Sequence, residues 1–390
     1  MEKRIQNIVV LGSTGSIGRQ ALNVATEFPD RFRVVGICAY TDSVTLIRQA
    51  KTLKPKYVGI ADPRKADEVK LALPECRVFS GKNSSMELAT IPEADVIIHG
   101  VRGFYGTLPL IAALEAGKRV ALANKESIVC ANGLIDAAKK RGGGEVIPVD
   151  SEQSAIFQCI WSHDNDCIKR LMLTASGGPF FGYTRERLKN VTVEQAMKHP
   201  TWRMGRKLTL DSATLFNKGL EIIEASYLFS MPGSSIDVLI HPQSMVHSLV
   251  EFVDGSTMAQ LSRPDMRLAI QYALTWPQRI PGPFGGLDLV SAGRLDFFAP
   301  DETVYRSIPL AYSALETGGT MPTVYNAANE VAAELFFGRT IGFLDIQDIV
   351  EYTMQRCGAS AVRDLDDVLS ADADARRTAR EYVPKGTDRG

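Results

Sequence analysis

Two acidic residues, Asp150 and Glu152, flank Ser151 directly after a predicted strand. In an extended chain, residues two apart project to the same side, and two carboxylates facing one way repel each other unless a cation neutralises them or one of them holds a proton. A hard divalent ion with oxygen ligands would stabilise such a pair. The same stretch also fits a helix start, with Asp150 or Ser151 as the N-cap and Glu152 exposed. The spacing favours neither interpretation over the other.

Asn217, Lys218 and Glu221 form a second candidate group. Their apolar neighbours predict a helix, one turn of which would present an amide, an ammonium and a carboxylate together, close to Ser212. The alternative is an exposed salt-bridge face. Gly219 argues against that alternative, because a glycine inside a helix costs about 1 kcal/mol relative to alanine. Close approach of a ligand or of another backbone would explain a glycine there.

A glycine-rich turn at residues 12–18, Gly-Ser-Thr-Gly-Ser-Ile-Gly, follows the first predicted strand and opens a helix. Glycines in this context permit a tight turn and let a pyrophosphate approach the positive end of the helix. The turn therefore predicts dinucleotide binding rather than a plain structural loop. The choice between NAD and NADP stays open, since Asp42 lies slightly late for a ribose-binding acid and also fits a helix N-cap.

Two further segments carry cations. Lys125, in Asn124-Lys125-Glu126-Ser127, follows a strand whose end falls at the same sheet edge as the glycine-rich turn and Asp150. It is either a solvated loop lysine or a cation that points into the crevice. Residues 199–207 combine a tryptophan, a glycine suited to a hinge and three cations. Loops of this type close over anionic substrates, and a surface connection with one packed tryptophan is the alternative.

The elements that position these groups alternate between short β-rich runs and helical stretches over the N-terminal part of the chain. This alternation predicts βαβ units and a mostly parallel, doubly wound sheet. The predicted strands span residues 8–11, 33–39, 57–61, 96–99, 119–123 and 145–149.

After residue 150 the pattern becomes α+β, with a strand at 168–174, a capping box at 192–195 and a hairpin at 250–261. Two later helices are predicted to begin near Pro322 and Asp345, and the tail from Pro384 is expected to fray. We therefore expect an α/β protein with an N-terminal Rossmann-like domain at 1–149, a central α+β catalytic domain at 150–276, a linker at 277–302 and a C-terminal helical bundle at 303–390.

The composition is that of a globular protein with a substantial core, since 45% of the 390 residues are hydrophobic and 23% are charged. Because 44 Lys and Arg residues balance 45 Asp and Glu residues, the chain as a whole lacks the excess positive charge typical of nucleic-acid binding, and a local basic site stays open. The six cysteines are scattered without a Cys-x-x-Cys pair, which predicts buried reduced thiols. The apolar run at 8–11 is too short for a signal peptide or a membrane span, so we expect a cytoplasmic protein.

Seven motifs run in order through nearly the whole chain. They are Gly-Ser-Thr-Gly-Ser-Ile-Gly at 12–18, Ala-Asn-Lys-Glu-Ser at 123–127, Pro-Val-Asp-Ser-Glu at 148–152, Ser-Gly-Gly-Pro-Phe at 176–180, Asp-Ser-Ala-Thr with Asn-Lys-Gly-Leu-Glu at 211–221, His-Pro-Gln-Ser at 241–244 and Asn-Ala-Ala-Asn-Glu at 326–330. Together they resemble the 1-deoxy-D-xylulose 5-phosphate reductoisomerase family of the non-mevalonate isoprenoid pathway. The family fold matches the domain division given above.

The resemblance implies roles for particular residues. The implied metal ligands for Mg²⁺ or Mn²⁺ are Asp150, Glu152 and Glu221, which together with Lys125 form the implied catalytic set. The implied phosphate contacts are Ser176, Ser212, Asn217 and Lys218. The implied contacts to the ketol end of the substrate are Lys125, Ser151 and Glu152, with His199 and Trp202 closing over it. The implied NADPH-binding residues are Gly12, Ser13, Thr14, Gly15, Ser16, Ile17, Asn124, Glu126 and Gly205.

The implied activity is the isomerisation and reduction of a phosphorylated ketose, 1-deoxy-D-xylulose 5-phosphate, to 2-C-methyl-D-erythritol 4-phosphate. One Lewis-acidic ion can hold both substrate oxygens during such a rearrangement, and an anchored phosphate supplies remote binding energy. The resemblance also implies a homodimer, with no nucleic-acid or membrane partner.

The chain departs from the family pattern at three places. Gln153 stands where family members often have histidine, and residues 103–106 read Gly-Phe-Tyr-Gly instead of Gly-Ala-Ala-Gly. The basic residue that the family uses for the 2′-phosphate is missing at 40–43, where Thr41 and Asp42 stand. NADPH nevertheless remains our prediction.

Two other classes of protein share some of these features. An ordinary two-domain dehydrogenase would have the glycine-rich turn without needing Asp150, Glu152 and Glu221 as metal ligands. A nucleotide-sensing regulator would bind the dinucleotide and show no turnover. The metal requirement and the oxidation of NADPH discriminate among the three.

Overall fold

The structure is a computed structural model that describes residues 4–202 and 204–383. Arg203, one of the three cations expected in the loop 199–207, and the tail from Pro384 lie outside the described residues. The chain forms two compact units. Unit 1 comprises Met1–Ile128, Asn132–Ser154 and Asp265–Gly285, and unit 2 comprises Val129–Ala131, Ala155–Pro264 and Gly286–Gly390.

Strands and helices follow one another along the described chain. The strands are β1 (Gln6–Leu11), β2 (Phe32–Ala39), β3 (Tyr57–Ile60), β4 (Arg77–Ser80), β5 (Val96–His99), β6 (Arg119–Leu122), β7 (Glu145–Pro148), β8 (Ile168–Ala175), β9 (Ile236–Ile240), β10 (Val246–Phe252) and β11 (Thr257–Leu261). The helices are α1 (Ser16–Glu27), α2 (Ser43–Leu53), α3 (Ala66–Ala72), α4 (Ser84–Ala89), α5 (Thr107–Glu115), α6 (Lys125–Gly142), α7 (Ser151–Ile160), α8 (Arg185–Leu188), α9 (Val193–Ala196), α10 (Arg206–Ala213), α11 (Phe216–Leu228), α12 (Met266–Thr275), α13 (Leu289–Ala292), α14 (Ser307–Thr317), α15 (Met321–Phe337), α16 (Asp345–Arg356) and α17 (Leu365–Arg380).

Unit 1 is built on a parallel sheet of seven strands in the order β4-β3-β2-β1-β5-β6-β7. The central strands are buried runs of β-branched and other apolar residues, as expected for a parallel sheet covered on both faces. The strand order reverses at β1, and doubly wound sheets bind ligands in the crevice at such a switch point. The predicted Rossmann-like fold is therefore confirmed. Strand β4 was not predicted, because its four residues are exposed or half-buried and lack a continuous apolar run.

Unit 2 contains a four-stranded sheet in the order β11-β10-β8-β9. Strand β10 runs antiparallel to β8 and β11, and β8 pairs with β9 in parallel. The predicted strand at 168–174 and the predicted hairpin are confirmed as β8 and the β10–β11 pair. Strand β9 is a further member of the sheet that the sequence pattern did not indicate. One face of this sheet packs against α11, which carries three of the candidate site residues.

The C-terminal helices of unit 2 pack around α15, which contacts α14, α16 and α17. Most residues of α15 are buried, which explains its long apolar sequence. The helix has Pro322 in its first turn, as the sequence predicts, and Gly338 is its C-cap. The C-terminal helical bundle is thus confirmed.

The compact units differ from the three-domain division expected from the sequence. Residues 265–285, which we assigned to the central domain and the linker, belong to unit 1, because α12 packs against α1 and β6. Residues 286–302 belong to unit 2 instead of forming a separate linker. There Phe298 forms a β-bridge with Ile240, and Asp296 accepts a hydrogen bond from Gln243 at 2.7 Å.

Across the described part of the chain, none of the helices has the length and apolar character needed to span a membrane. The six cysteines are free thiols. The expectation that they are buried holds for Cys38, Cys130 and Cys159, whereas Cys167 is exposed just before β8. Burial raises the pKa of Cys38 to about 11, so this thiol is protonated and inert.

Candidate active site and metal centre

The glycine-rich turn connects β1 to α1, as predicted. Gly12 has a φ of +77°, and a Cβ there would lie 2.6 Å from the carbonyl oxygen of Gly100, so glycine is required. Gly15 is the N-cap of α1, and no side chain caps the helix. The N–H groups of its first turn are therefore available to an anion such as a pyrophosphate.

The side chain of Ser13 has a structural role in this turn. It is buried, and its hydroxyl donates to Gln49 Oε1 at 2.8 Å, while the Gln49 amide donates back to the Ser13 carbonyl oxygen at 2.9 Å. Thr14 and Ile17 are half-buried, and Ser16 is exposed. Ser13 thus anchors the turn to α2, and the residues after it form the accessible part of the turn.

Asp42, which follows β2, caps a helix. It is the N-cap of α2, and its Oδ1 accepts the Thr45 N–H at 3.0 Å. The capping interpretation of Asp42 is therefore confirmed. Tyr40, at the end of the same strand, is 74% exposed.

Asn124 and Glu126, expected to bind the cofactor, hold the loop beside the glycine-rich turn. Asn124 Nδ2 donates to the carbonyl oxygens of Val101 at 2.8 Å and Gly103 at 2.9 Å. Glu126 accepts the Gly103 N–H at 3.3 Å. Both side chains therefore fix the backbone that continues from Gly100, the residue against which the turn packs.

The Gly-Phe-Tyr-Gly segment at residues 103–106 is fixed by a hydrogen bond from a buried histidine. His99 Nε2 lies 2.8 Å from the carbonyl oxygen of Gly106, and burial lowers the pKa of His99 to about 4. The ring is therefore neutral and donates through Nε2. Tyr105 is 86% exposed, and Phe104 is half-buried. The tyrosine that replaces a small residue thus projects away from the core of unit 1.

Lys125 is buried, and its Nζ lies 2.5 Å from Asp150 Oδ2, so the solvated-lysine alternative is wrong. Helix α7 begins at Ser151, which places Asp150 just before the helix and Glu152 in its first turn. Of the two alternatives for 150–152, the helix start is therefore confirmed and the extended geometry is wrong. The Ser151 hydroxyl donates to Glu152 Oε2 at 2.5 Å. Gln153, the residue that replaces the family's frequent histidine, is buried.

Helix α11 presents its polar residues inward. Lys218 and Glu221 are 2% and 0% exposed, so the alternative of an exposed salt-bridge face is wrong. Lys218 Nζ donates to Glu221 Oε2 and Asn217 Nδ2 donates to Glu221 Oε1, as the helical spacing predicts. Leu215, the N-cap residue, provides no side-chain cap, so the N–H groups of the first turn offer donors to an anion.

Three carboxylates come together among the described residues. Asp150, Glu152 and Glu221 each offer a carboxylate oxygen, and these atoms lie within 4.8 Å of one another. Glu221 is buried and the other two are half-buried. Like charges at this separation repel; Lys125 already pairs with Asp150 and Lys218 with Glu221, and the oxygen ligands of the group are of the type that a hard divalent cation prefers.

His199 connects two serines of unit 2. Its Nε2 lies 3.1 Å from Ser176 Oγ and 3.0 Å from Ser212 Oγ. Gly178, with a φ of +65°, allows this arrangement, because a Cβ there would lie 2.8 Å from the carbonyl oxygen of Ser212. The Ser-Gly-Gly-Pro turn after β8 therefore packs directly on the end of α10.

The tautomer of His199 follows from its hydrogen bonds. The N–H groups of Thr201 and Trp202 donate to His199 Nδ1 at 3.1 and 2.8 Å. Nδ1 is thus an acceptor, and the proton of the neutral ring is on Nε2, facing the two serines. Burial lowers the pKa of His199 to about 4, which keeps the ring neutral near pH 7.

The described part of the loop 199–207 is shorter than expected. Two of the three cations, Arg206 and Lys207, lie in the first turn of α10 instead of in the loop. Arg206 stacks over Phe337, and Lys207 Nζ lies 2.5 Å from Asp211 Oδ2. These cations therefore anchor α10. Gly205 is the N-cap of that helix.

Helix α15 supplies contacts that sequence reasoning missed. Asn329 Nδ2 donates to Asp211 Oδ1 at 3.0 Å, and both residues are buried. The signal was two amides, Asn326 and Asn329, three residues apart in a mostly apolar helix. A Cβ on Gly219 would overlap the hydroxyl of Tyr325, so this glycine is explained by a tyrosine of α15.

Family models for this fold match most of the chain. A model described as 1-deoxy-D-xylulose 5-phosphate reductoisomerase matches residues 8–132, and one for the C-terminal domain of that enzyme matches residues 146–229. A third, described as DXP reductoisomerase C-terminal domain, matches residues 261–378.

Similar proteins and solved structures carry the same description. The reductoisomerase of Thermodesulfovibrio yellowstonii is 44% identical over 97% of this chain and 100% of its own length, and that of Rhodospirillum centenum is 47% identical over 98% and 95%. The Zymomonas mobilis enzyme, solved with NADPH, superposes with a TM-score of 0.91 at 40% identity, covering 96% of this chain and 98% of that one. A reductoisomerase solved with NADPH, fosmidomycin and magnesium also has a TM-score of 0.91, at 36% identity and the same coverage.

Proposed function

The chain belongs to the 1-deoxy-D-xylulose 5-phosphate reductoisomerase family, and we propose that it converts 1-deoxy-D-xylulose 5-phosphate to 2-C-methyl-D-erythritol 4-phosphate with NADPH and Mg²⁺. It is an NADP-dependent oxidoreductase of non-mevalonate isoprenoid biosynthesis. The observation that carries this function is the convergence of Asp150, Glu152 and Glu221, because neither an ordinary dehydrogenase nor a regulator needs such a group.

The three carboxylates fit a divalent cation. Their carboxylate oxygens lie within 4.8 Å of one another, and oxygen is the ligand atom that Mg²⁺ prefers. A cation held there would act as a Lewis acid on the substrate and would stabilise its developing negative charge. Mn²⁺ accepts the same ligands and is the alternative ion.

Lys125 and Ser151 are the residues we assign to the ketol end of the substrate, together with Glu152. The buried Lys125 ammonium is oriented by Asp150 at 2.5 Å, and the Ser151 hydroxyl is oriented by Glu152 at 2.5 Å. Lys125 is therefore a donor held in a fixed position next to the proposed metal ligands, whereas Ser151, whose single hydroxyl hydrogen goes to Glu152, offers the substrate an acceptor. Fixed donors at a site of developing charge stabilise a transition state without a reorganisation cost.

The phosphate of the substrate is assigned to residues of unit 2. Ser176 and Ser212 are held together by His199, whose Nε2–H points at both hydroxyls. Asn217 and Lys218 lie in the first turn of α11, where backbone N–H groups also favour an anion. Hydroxyl groups, the Asn217 and Lys218 side chains and backbone N–H groups would thus all donate to one phosphate. The binding energy of the phosphate, which is remote from the reaction, then positions the reacting carbons.

We assign NADPH, which would supply the hydride, to the glycine-rich turn from Gly12 to Ile17. The backbone N–H groups at the uncapped N-terminus of α1 would bind the pyrophosphate. Asn124 and Glu126 shape the loop at 101–103 beside it. Gly205 and Trp202 belong to the loop that we expect to exclude water while the hydride is transferred.

The decisive assay mixes the purified protein with 1-deoxy-D-xylulose 5-phosphate, NADPH and Mg²⁺. We expect NADPH oxidation and the appearance of 2-C-methyl-D-erythritol 4-phosphate by mass spectrometry. Chelation with EDTA should abolish both signals, and added Mg²⁺ should restore them. Turnover that survives chelation would identify an ordinary dehydrogenase, and dinucleotide binding without turnover would identify a regulator.

The metal assignment has its own test in the variant Glu221→Gln, which keeps the side-chain shape and removes the charge. We expect Mn²⁺ affinity, measured by calorimetry without substrate, to fall by at least about 10-fold, and activity to fall steeply with an unchanged circular dichroism spectrum. The matched control is Glu194→Gln, an exposed residue of α9 paired with Arg339. Wild-type Mn²⁺ affinity in Glu221→Gln would overturn the ligand role.

A homodimer is supported by the edge of the unit 2 sheet. Strand β11 pairs with β10 on one side, and Thr257, Met258 and Ala259 are exposed. Such an edge offers unpaired backbone groups to a second copy of the chain. Sedimentation velocity should show a dimer, and Ala259→Pro, which removes a backbone donor at this edge, should weaken it. A monomeric wild-type protein would contradict this assignment.

We place the reaction in the cytoplasm, because the six cysteines are free thiols and such thiols persist in a reducing compartment. Fractionation of cells that express the tagged chain tests this placement. Recovery with the membrane fraction would contradict it.

A further inference from the structure

The 2′-phosphate of NADPH needs a cation that the loop after β2 does not contain. In a doubly wound sheet the group at the ribose 2′ position lies beyond the end of the second strand, where an acid binds a hydroxyl and an arginine binds a phosphate. Here that loop reads Tyr40-Thr41-Asp42, and Asp42 is engaged as the cap of α2. Recognition of the phosphate must therefore come from a neighbouring element.

The loop after β3 supplies an arginine at this place. Backbone pairing continues beyond the two strands, since Asp62 N–H donates to the Tyr40 carbonyl oxygen at 2.9 Å. Arg64 follows two residues later. Hydrogen bonds with Asp62 raise the pKa of Arg64 above its ordinary value, and the nearby Tyr40 hydroxyl adds to the shift. Arg64 thus lies next to the end of β2, at the carboxyl edge of the sheet.

The guanidinium of Arg64 is held in one orientation. Asp62 accepts from Arg64 Nε at 2.9 Å and from Nη2 at 2.8 Å, and it also accepts the Arg64 backbone N–H at 3.0 Å. The Asp62 side chain is 8% exposed, whereas that of Arg64 is 85% exposed. Asp62 takes two of the five N–H donors of the guanidinium, and the remaining three are available to an anion. An arginine that is already held in one orientation is well suited to bind a phosphate group, because its planar guanidinium can donate two parallel hydrogen bonds.

The neighbouring lysine is a weaker candidate. Lys65 Nζ lies 3.2 Å from Glu68 Oε2, and the Glu68 carboxylate also accepts the Ser43 hydroxyl at 3.2 Å. Lys65 is therefore directed toward the start of α2 and α3. Arg64 is the better placed of the two cations.

We infer that Arg64, preorientated by Asp62, binds the 2′-phosphate of NADPH and sets the preference for NADPH over NADH. This inference rests on the proposed function for its cofactor. It assigns the selectivity to the loop after β3, in place of the loop after β2 where the basic residue is missing.

The test compares Arg64→Gln with the wild-type chain in two assays. In the first, calorimetry measures binding of adenosine 2′,5′-bisphosphate and of AMP, which differ by the 2′-phosphate. In the second, kcat/KM is measured with NADPH and with NADH. The matched control is Arg33→Gln, an exposed arginine of β2 near the opposite edge of the sheet.

We expect Arg64→Gln to weaken the bisphosphate by about 10- to 100-fold, the range of a charged hydrogen-bond set, with AMP unchanged. The NADPH preference should fall by the same factor, and NADH should be used as before. Equal losses for both cofactors, or no loss, would overturn the inference. If the wild-type chain shows no turnover, the proposed function fails, and the bisphosphate titration still decides the role of Arg64.

Discussion

Replacing Gly219 with alanine tests whether close packing behind α11 positions the residues that this helix presents. A Cβ at Gly219 would overlap the Tyr325 hydroxyl and lie 3.0 Å from the carbonyl oxygen of Ser307. The same hydroxyl donates to the Ser307 oxygen at 3.0 Å, in a fully buried setting. The methyl group therefore cannot enter unless Tyr325 moves and that hydrogen bond breaks.

The expected size follows from three opposing effects. Alanine is favoured over glycine inside a helix by about 1 kcal/mol. Overpacking a well-packed core costs about 1–3 kcal/mol, and an unsatisfied buried polar group costs about 1–3 kcal/mol. We therefore expect Gly219→Ala to lower the free energy of unfolding by about 3 kcal/mol. Because Lys218 and Glu221 flank the site of the overlap, substrate affinity should fall as well.

Urea denaturation of single and double variants measures this effect. In Gly219→Ala with Tyr325→Phe, the overlapping hydroxyl is absent, so the double variant should lose at least about 1 kcal/mol less than the sum of the single losses. The matched control is Gly133→Ala in α6, where an added Cβ meets no atom within 4 Å. That control should be neutral or stabilising. A Gly219→Ala protein as stable as the wild type would refute the packing argument.

Two other predictions concern buried charge. Lys218→Ala should raise the KM for the phosphorylated substrate by about 100-fold with a smaller change in kcat, and a change in kcat alone would refute the phosphate role. Burial lowers the pKa of His99 from 6.5 to about 4, so between these values the unfolded chain binds a proton that the folded chain does not, and stability should fall as the pH is lowered through this range. In His99→Gln, the free energy of unfolding should fall less steeply as the pH is lowered, by at most about 1.4 kcal/mol per pH unit. Denaturation curves at several pH values measure this slope. A slope equal to that of the wild type would contradict the role of His99.

The sheet of unit 1 could be predicted because the strands of a buried parallel sheet have uninterrupted apolar sequences. The same rule explains what was missed, since the four-residue β4 is exposed or half-buried and has no such run. The sequence also could not predict that α12 belongs to unit 1. Its amphipathic pattern predicts a buried face, but the pattern does not identify α1 and β6 as the elements that cover it.

The site shows the same division between local and distant information. The contacts of Glu221 with Asn217 and Lys218 follow from helical spacing, and the structure confirms them. The choice between a helix cap and a metal ligand at Asp150 had no local answer. Helix α7 begins at Ser151, so Asp150 does precede a helix, and its role as a metal ligand stays a proposal that rests on the grouping of Asp150, Glu152 and Glu221.

The motif residues finally separate into those that carry chemistry and those that hold them in place. The Asn-Ala-Ala-Asn-Glu motif belongs to the second class, because Asn329 donates to Asp211 inside unit 2 at 3.0 Å. Asp211 lies one residue before Ser212, whose hydroxyl faces His199 at 3.0 Å. An amide of α15 thus fixes the helix end that presents a proposed phosphate ligand. A motif in a core helix can therefore act on the site through packing alone, and the folded chain is needed to show this.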